Sequence, residues 1–284
     1  MFAKKIELFL MDGTANGRWA CELSNWSGKA YKIPRTLLSE SKDRSDLAST
    51  GVYFLLGKSD SPDEKARIYI GEAENLFERL KQHLGGKDFW NEVIAFFSKD
   101  ETLNKAKIKY LENRFYEIAI TADRYEVINK TTPTQSRVSE ADKAELEEFL
   151  FNAKMITNTL GHKVFDQIIQ DEPGTKKTEN VFIKAAREAD ACGQPVTDGF
   201  VVFSGSKAAK EVAPAFNKHG SRLFRNRLIE EGVLSDQGDH LLFEKDYVFS
   251  SPSAAAGIVM GRSANGLTEW KTTSGQILKA LEKG

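Results

Sequence analysis

Residues 171–180, DEPGTKKTEN, hold Pro173, Gly174 and the pair Lys176-Lys177 but no branched aliphatic or aromatic side chain. A stretch of that composition reads as a linker. It divides the 284 residues into two modest domains, each long enough to bury a core. With 40% hydrophobic and 29% charged residues, the chain has the composition of a folded globular protein. Its apolar stretches at 6–11 and 254–260 fall far short of the roughly 20 residues a spanning helix needs. The N-terminus carries two lysines without the long apolar region of a secretory signal, so no membrane partner is expected. Cys21 and Cys192 stand far apart, and His83, His162, His219 and His240 are scattered. No zinc or redox spacing results. A reducing cytoplasmic compartment is expected, and any metal should be a hard cation on oxygen ligands. The formal charge of −1, from 40 basic and 41 acidic residues, lacks the excess of a protein that coats nucleic acid. Local patches, though, set phosphate contacts.

Hydrophobic patterning predicts an α+β protein. Residues 5–35 alternate apolar and polar around Asp12-Gly13 and Asn16-Gly17, the pattern of a β-hairpin. The polar run 39–49 reads as a linker. An apolar strand is expected over 51–56, a turn with Pro62 over 60–65, and a returning strand over 66–70. Asn75 with Glu78 forms a capping box that opens a helix. A second helix is expected over 102–122, a short strand at 127–129, and a charged, partly solvated connector helix from Ser139 to Gly161. Beyond the linker come a strand at 199–203, a helix at 221–231, mutually paired strands at 241–243 and 247–249, and a helix opened by Ser251-Pro252 and closed by Gly261.

One segment reads GVYFLL, then IYIGEAENLFERLKQH, then KYLENRFYEIA, then INKT. It resembles the GIY-YIG nuclease family over roughly 80 residues. Gly51-Val52-Tyr53 stands for the first motif and Tyr69-Ile70-Gly71 for the second, with Arg79, Glu112 and Asn129 following in the family's order. A single motif would be worthless; five landmarks in sequence are specific. The resemblance implies a small mixed or antiparallel sheet flanked by helices over 46–135, with a leader at 1–45, a connector and linker at 136–180, and a second small α+β domain at 181–284. It also implies a bacterial branch of that family and a metal-dependent endonuclease acting on DNA by activated-water attack. In that scheme Tyr53 serves as base, Tyr69 as its orienting partner, Arg79 as a clamp on phosphoryl oxygens, and Glu112 as ligand to Mg²⁺ or Mn²⁺. Gly71 would permit close approach of a phosphate. His83 is read as either a satisfied core histidine or a base contact, and Asn129 as either catalytic or a turn cap. Lys105 is read as either a solvated lysine or part of a DNA track. Helical spacing sets Arg79 beside an apolar arc of Leu76, Phe77, Leu80 and Leu84, and Glu112 beside Ala119.

The segment SPSAAAGIVMGRSANGLTEWK resembles a domain of unknown function fused behind bacterial GIY-YIG domains, and more distantly a restriction-associated module. Arg222, Arg225 and Arg227 fall on one expected helix, with Arg262, Trp270 and Lys271 near a Gly-rich turn. Such a set suits phosphate contact and base stacking. The alternative is a folded spacer with Trp270 in its core. For the whole chain the competing reading is a non-cleaving DNA-binding or adaptor protein on the same scaffold, in a defence or repair system.

Overall fold

The computed structural model describes residues 3–58, 65–166, 179–197, 199–214 and 221–281. The expected turn at 60–65 lies almost wholly outside them, as does most of the linker at 171–180. The chain divides into two compact units, Met1–Gln167 and Ile168–Gly284, each with mixed α and β structure. Among the described residues no helix is long and apolar enough to cross a membrane.

Unit 1 is built on a seven-stranded sheet: β1 (Ile6–Leu10), β2 (Trp19–Leu23), β3 (Gly28–Pro34), β4 (Gly51–Gly57), β5 (Arg67–Ala73), β6 (Glu92–Ser98) and β7 (Glu126–Val127). Their order is β1-β2-β3-β6-β4-β5-β7, antiparallel throughout except where β7 runs parallel to β5. Every residue of GVYFLLG in β4 is buried, because the strand is central and covered on both faces, which is why it reads as a continuous apolar run. Val52, Phe54 and Leu56 face α2 (Lys105–Ala122) and α3 (Glu140–Thr159); Tyr53 and Leu55 face α1 (Leu76–Gly86). On the first face the Phe54 ring meets Phe96, Phe115 and Phe165 at 4.9–5.6 Å between centroids.

The helix ends follow the local signals. Glu78 N donates to Asn75 Oδ1 at 3.0 Å, Asp142 N donates to Ser139 Oγ at 3.1 Å, and Gly161 adopts φ +94° beyond α3. Three expectations change. The N-terminal residues are not an appended hairpin: β3 pairs with β6 along its whole length, so β1–β3 belong to the same sheet as β4–β7. The polar run 39–49 is no linker, since its 3₁₀ turns bury Leu38, Ser41 and Leu47 against that sheet. The connector helix α3 is an integral layer of unit 1, burying Leu146, Phe149, Leu150, Ala153 and Ile156 in the first-face core. β6 escapes periodicity analysis because VIAFF, buried on both faces, does not alternate.

Unit 2 holds a second seven-stranded sheet. Its members are β8 (Val181–Lys184), β9 (Asp190–Val196), β10 (Gly199–Val202), β11 (Lys207–Ala209), β12 (Leu234–Asp236), β13 (His240–Phe243) and β14 (Tyr247–Phe249). The path runs β12-β13-β11-β9-β10-β14, with β8 also on β9. The helices are α4 (Ser221–Glu230), α5 (Pro252–Met260), α6 (Gly266–Glu269) and α7 (Leu278–Leu281). β13 and β14 do not pair with each other as the short spacing suggests: β13 lies between β11 and β12, and β14 lies on β10.

Phe54→Ala removes the ring at the centre of the first-face core. It should lower the unfolding free energy of unit 1 by about 3–5 kcal/mol, measured by denaturant titration of tryptophan fluorescence.

Candidate functional site

β4 and β5 pair with Tyr53 opposite Gly71 and Leu55 opposite Tyr69. Both tyrosines therefore rise from the same face, one step apart on neighbouring strands. The Tyr53 ring lies flat across Gly71: a Cβ built there would stand 2.4 Å from both Cζ and Oη of the phenol. Only glycine lets the ring pass. The phenol ends 2.7 Å from His83 Nε2 on α1. His83 also stacks against both rings, at 5.5 Å from Tyr53 and 5.4 Å from Tyr69. The two phenol rings are 6.3 Å apart.

Arg79, one turn before His83, places its guanidinium beside both phenols, and this raises its own pKa through Tyr53 foremost. Burial, reinforced by Tyr69, pushes the Tyr53 phenol well above the ordinary tyrosine range, against the opposing pull of Arg79. Burial pushes His83 down to about 4, with Arg79 and Lys87 adding to it. At neutral pH the contact thus joins a neutral phenol to a neutral imidazole. The cation beside the phenol turns the oxygen lone pairs toward Arg79 and the proton toward His83. With the phenol donating in this way, Nε2 accepts and the imidazole proton is carried on Nδ1.

Glu112 on α2 is half-buried. Burial, and after it the neighbouring Glu72 carboxylate, push its carboxyl up to about 7, against Lys105, Arg79 and Lys109. Among the described residues none forms an ion pair or hydrogen bond with it. Glu72 is engaged by Lys105 at 2.9 Å, with Glu74 at 3.6 Å, so Lys105 belongs to an acidic pair and does not stand free in a DNA track. Among the described residues no three His, Cys, Asp or Glu side chains gather as a metal cage. The donor set suits a hard divalent cation that takes one or two carboxylates and completes its shell with water and substrate oxygens. Glu112, a carboxylate with no cation on it, is the residue that could hold it.

Asn129 has a structural task. The parallel β5–β7 ladder runs Glu126 N to Ala66 O and Ile128 N to Ile68 O, both at 2.9 Å. At the next rung the side chain replaces the backbone: Asn129 Nδ2 donates to Ile70 O at 2.7 Å, and Ile70 N donates to Asn129 Oδ1 at 3.0 Å. Both ends of the amide bond the β5 backbone, so its observed task is to hold the end of the β5–β7 ladder and not to cap a turn. Arg35 fixes the other side of the site. Its guanidinium donates to Leu84 O at 2.8 Å and Lys87 O at 2.5 Å, satisfying carbonyls left open at the end of α1, and it stacks on Trp90 at 4.5 Å.

The structure therefore brings together Tyr53, Tyr69, Arg79, His83 and Gly71 tightly, with Glu112 at the rim and Asn129 behind the edge strand. Glu72, Arg35, Lys87 and Lys130 border the same site. Nothing in the sequence marks them, because each is a surface-type residue whose neighbour lies on another element.

In unit 2 the 251–271 segment folds back on itself. Ser251 caps α5, accepting from Ala254 N at 3.1 Å, and Gly261 ends it at φ +61°. Gly266 abuts the Pro252 backbone, where a Cβ would clash at 2.1 Å. Trp270 is wholly buried, donates from Nε1 to Pro252 O at 3.0 Å and lies 4.5 Å from Phe200. Residues 181–282 match a family described as a domain of unknown function (DUF4357). No GIY-YIG family match accompanies it, and no curated protein and no solved structure matches the chain. In the DUF4357 segment two expectations fail. Trp270 is a core residue and cannot stack a base. Arg225 is buried, with Nη1 donating to Ile258 O at 3.2 Å and Nη2 to Ala209 O; it braces backbone, not phosphate. Arg227 pairs with Glu231 at 2.7 Å and Arg262 with Glu269 at 2.8 Å. Arg222 and Lys271 are exposed, on separate elements.

Gly71→Ala must push the Tyr53 ring into a packed core. A loss of about 1–3 kcal/mol is expected, with the His83 ring signals shifting in NMR spectra as the phenol contact breaks. Glu112 gives a pH signature. Its folded value near 7 exceeds the usual carboxyl value of 4.5, so its contribution is favourable below about 4.5 and is lost as pH rises through 7. Glu112→Gln should melt higher than wild type at pH 8, with the two converging near pH 4 in calorimetry.

Proposed function

We propose that unit 1 is a metal-dependent DNA endonuclease of the GIY-YIG type, hydrolysing a phosphodiester by attack of water. The observation that carries the reading is the convergence of a phenol, a neutral imidazole and a guanidinium on one face, with a carboxyl that makes no ion pair among the described residues beside them. These are the parts such a hydrolysis needs: a path for the water's proton, charge compensation at the phosphoryl oxygens, and a seat for a cation.

A phenol whose ionisation burial has made this difficult cannot stand as phenolate at neutral pH. Tyr53 works instead as a relay. The attacking water gives a proton to the Tyr53 oxygen while the Tyr53 proton moves to His83 Nε2. The new phosphorus–oxygen bond forms and the bond to the leaving oxygen breaks, that oxygen taking its proton from solvent, and His83, whose burial disfavours the imidazolium, then releases its extra proton to solvent. Arg79 meets the charge growing on the phosphoryl oxygens, and Tyr69 walls the relay and orients it. Bound at Glu112, Mg²⁺ or Mn²⁺ would polarise the phosphoryl group and neutralise charge on the leaving oxygen. Unit 2 supports a nucleic-acid role through exposed Arg222 and Lys271; Arg227 and Arg262 are engaged in ion pairs, and Arg225 and Trp270 are buried.

The test is a cleavage assay on single-stranded, duplex and branched DNA with Mg²⁺, Mn²⁺ or chelator. Cutting with metal should fall by at least about 100-fold in Tyr53→Phe and in His83→Ala, and vanish in Glu112→Gln with the fold retained. Cutting that persists in Glu112→Gln, or DNA binding with no cutting under either metal, would sink the reading. Because cation and proton compete for Glu112, the Mg²⁺ concentration giving half-maximal rate should fall as pH rises from 6 to 8.

A further inference from the structure

Around this site the cations sort into two groups. Lys81, Lys105 and Arg67 each hold a carboxylate, on Glu78, Glu72 and Glu126 at 2.9–3.2 Å. Among the described residues Arg79, Lys87 and Lys130 hold none. They nevertheless sit together. Lys87, just past the end of α1, carries its ammonium 4.1 Å from the centre of the Tyr69 ring. Its backbone is anchored by Arg35. Lys130 directly follows Asn129, whose side-chain amide is bonded to both Ile70 N and Ile70 O. Lys130 and Arg79 are close enough to lower the pKa of Lys87, after burial. Like charges gathered without a counter-charge repel, and an arriving polyanion relieves that repulsion. A single phosphate already has Arg79; two more cations gathered beside it fit neighbouring phosphates of the same strand.

We infer that Lys87 and Lys130 clamp the DNA backbone phosphates flanking the reacting one, and that Asn129 is a positioning residue whose amide holds Lys130 in place. The inference rests on the nuclease reading for its substrate and extends the site along the strand. Asn129 acts here through Lys130: with the third rung of the ladder lost, the chain after Ile128 has nothing holding it to β5, and the lysine's charge is no longer held over the site.

The experiment measures binding of a fluorescein-labelled DNA duplex by anisotropy, with full-length protein, chelator present and salt varied from 0.05 to 0.3 M. Each phosphate contact contributes about 0.9 to the slope of log affinity against log salt. Lys87→Met and Lys130→Met should each lower that slope by about one and weaken binding on the order of tenfold at 0.1 M salt. Lys81→Met, which removes an ion-paired lysine, should leave the slope alone. Asn129→Ala should reproduce the Lys130→Met loss, and the double variant should lose no more than either, since both remove one contact. Unchanged slopes in Lys87→Met and Lys130→Met, or an Asn129→Ala loss that adds to that of Lys130→Met, would overturn the clamp. If the slopes hold while wild type cuts DNA, the clamp fails and the nuclease reading stands. If the slopes fall while no metal supports cutting, the reverse is true, and absence of DNA binding at every salt concentration overturns both.

Discussion

The site depends on a missing side chain. Because Gly71 has no Cβ, the Tyr53 ring can lie across its own sheet partner and reach His83. With any other residue at 71 the phenol would be held off the strand, and neither the contact to His83 nor the approach of Arg79 would form. The rest of unit 1 serves that crossing. β4 is buried on both faces, so Tyr53 has one direction in which to point. Arg35 holds the end of α1, and with it the helix that carries Arg79 and His83.

Burial then sets the chemistry. Charged forms are expensive where water is scarce, so the phenol keeps its proton, the imidazole stays neutral, and Glu112 holds its proton toward pH 7. Arg79 is the group that stays charged, and it organises the others electrostatically. A phenol and an imidazole left neutral side by side are suited to pass a proton rather than to store one. Glu112, crowded by Glu72 while Lys105 is turned to the latter, is left without an ion pair of its own among the described residues.

Unit 2 gives the contrasting case. Its 251–271 segment, with Arg262, glycines and a tryptophan close together, and the arginines of α4 look from composition like a nucleic-acid surface. In the fold these features serve one another: Gly266 yields room to Pro252, Trp270 binds the Pro252 carbonyl, and Arg225 binds carbonyls of neighbouring elements. Arginine and tryptophan are used both at interfaces and in packing, and residue type alone does not separate the two uses.

The sequence by itself determined what depends on neighbours within about four residues. Asn75 with Glu78, Ser139 with Asp142, and Ser251-Pro252 with Gly261 mark helix ends, because a cap satisfies amides one turn away. It also determined the pairing of the two tyrosine strands and the burial of the run 51–56. Tertiary structure alone decided that β3 and β6 are partners, that α3 is a layer of the core, that Asn129 completes a ladder, and that the Lys87 ammonium lies over the Tyr69 ring. Those outcomes join residues far apart along the chain, and burial and charge pairing follow from which surfaces the fold brings together, a quantity that no local pattern carries.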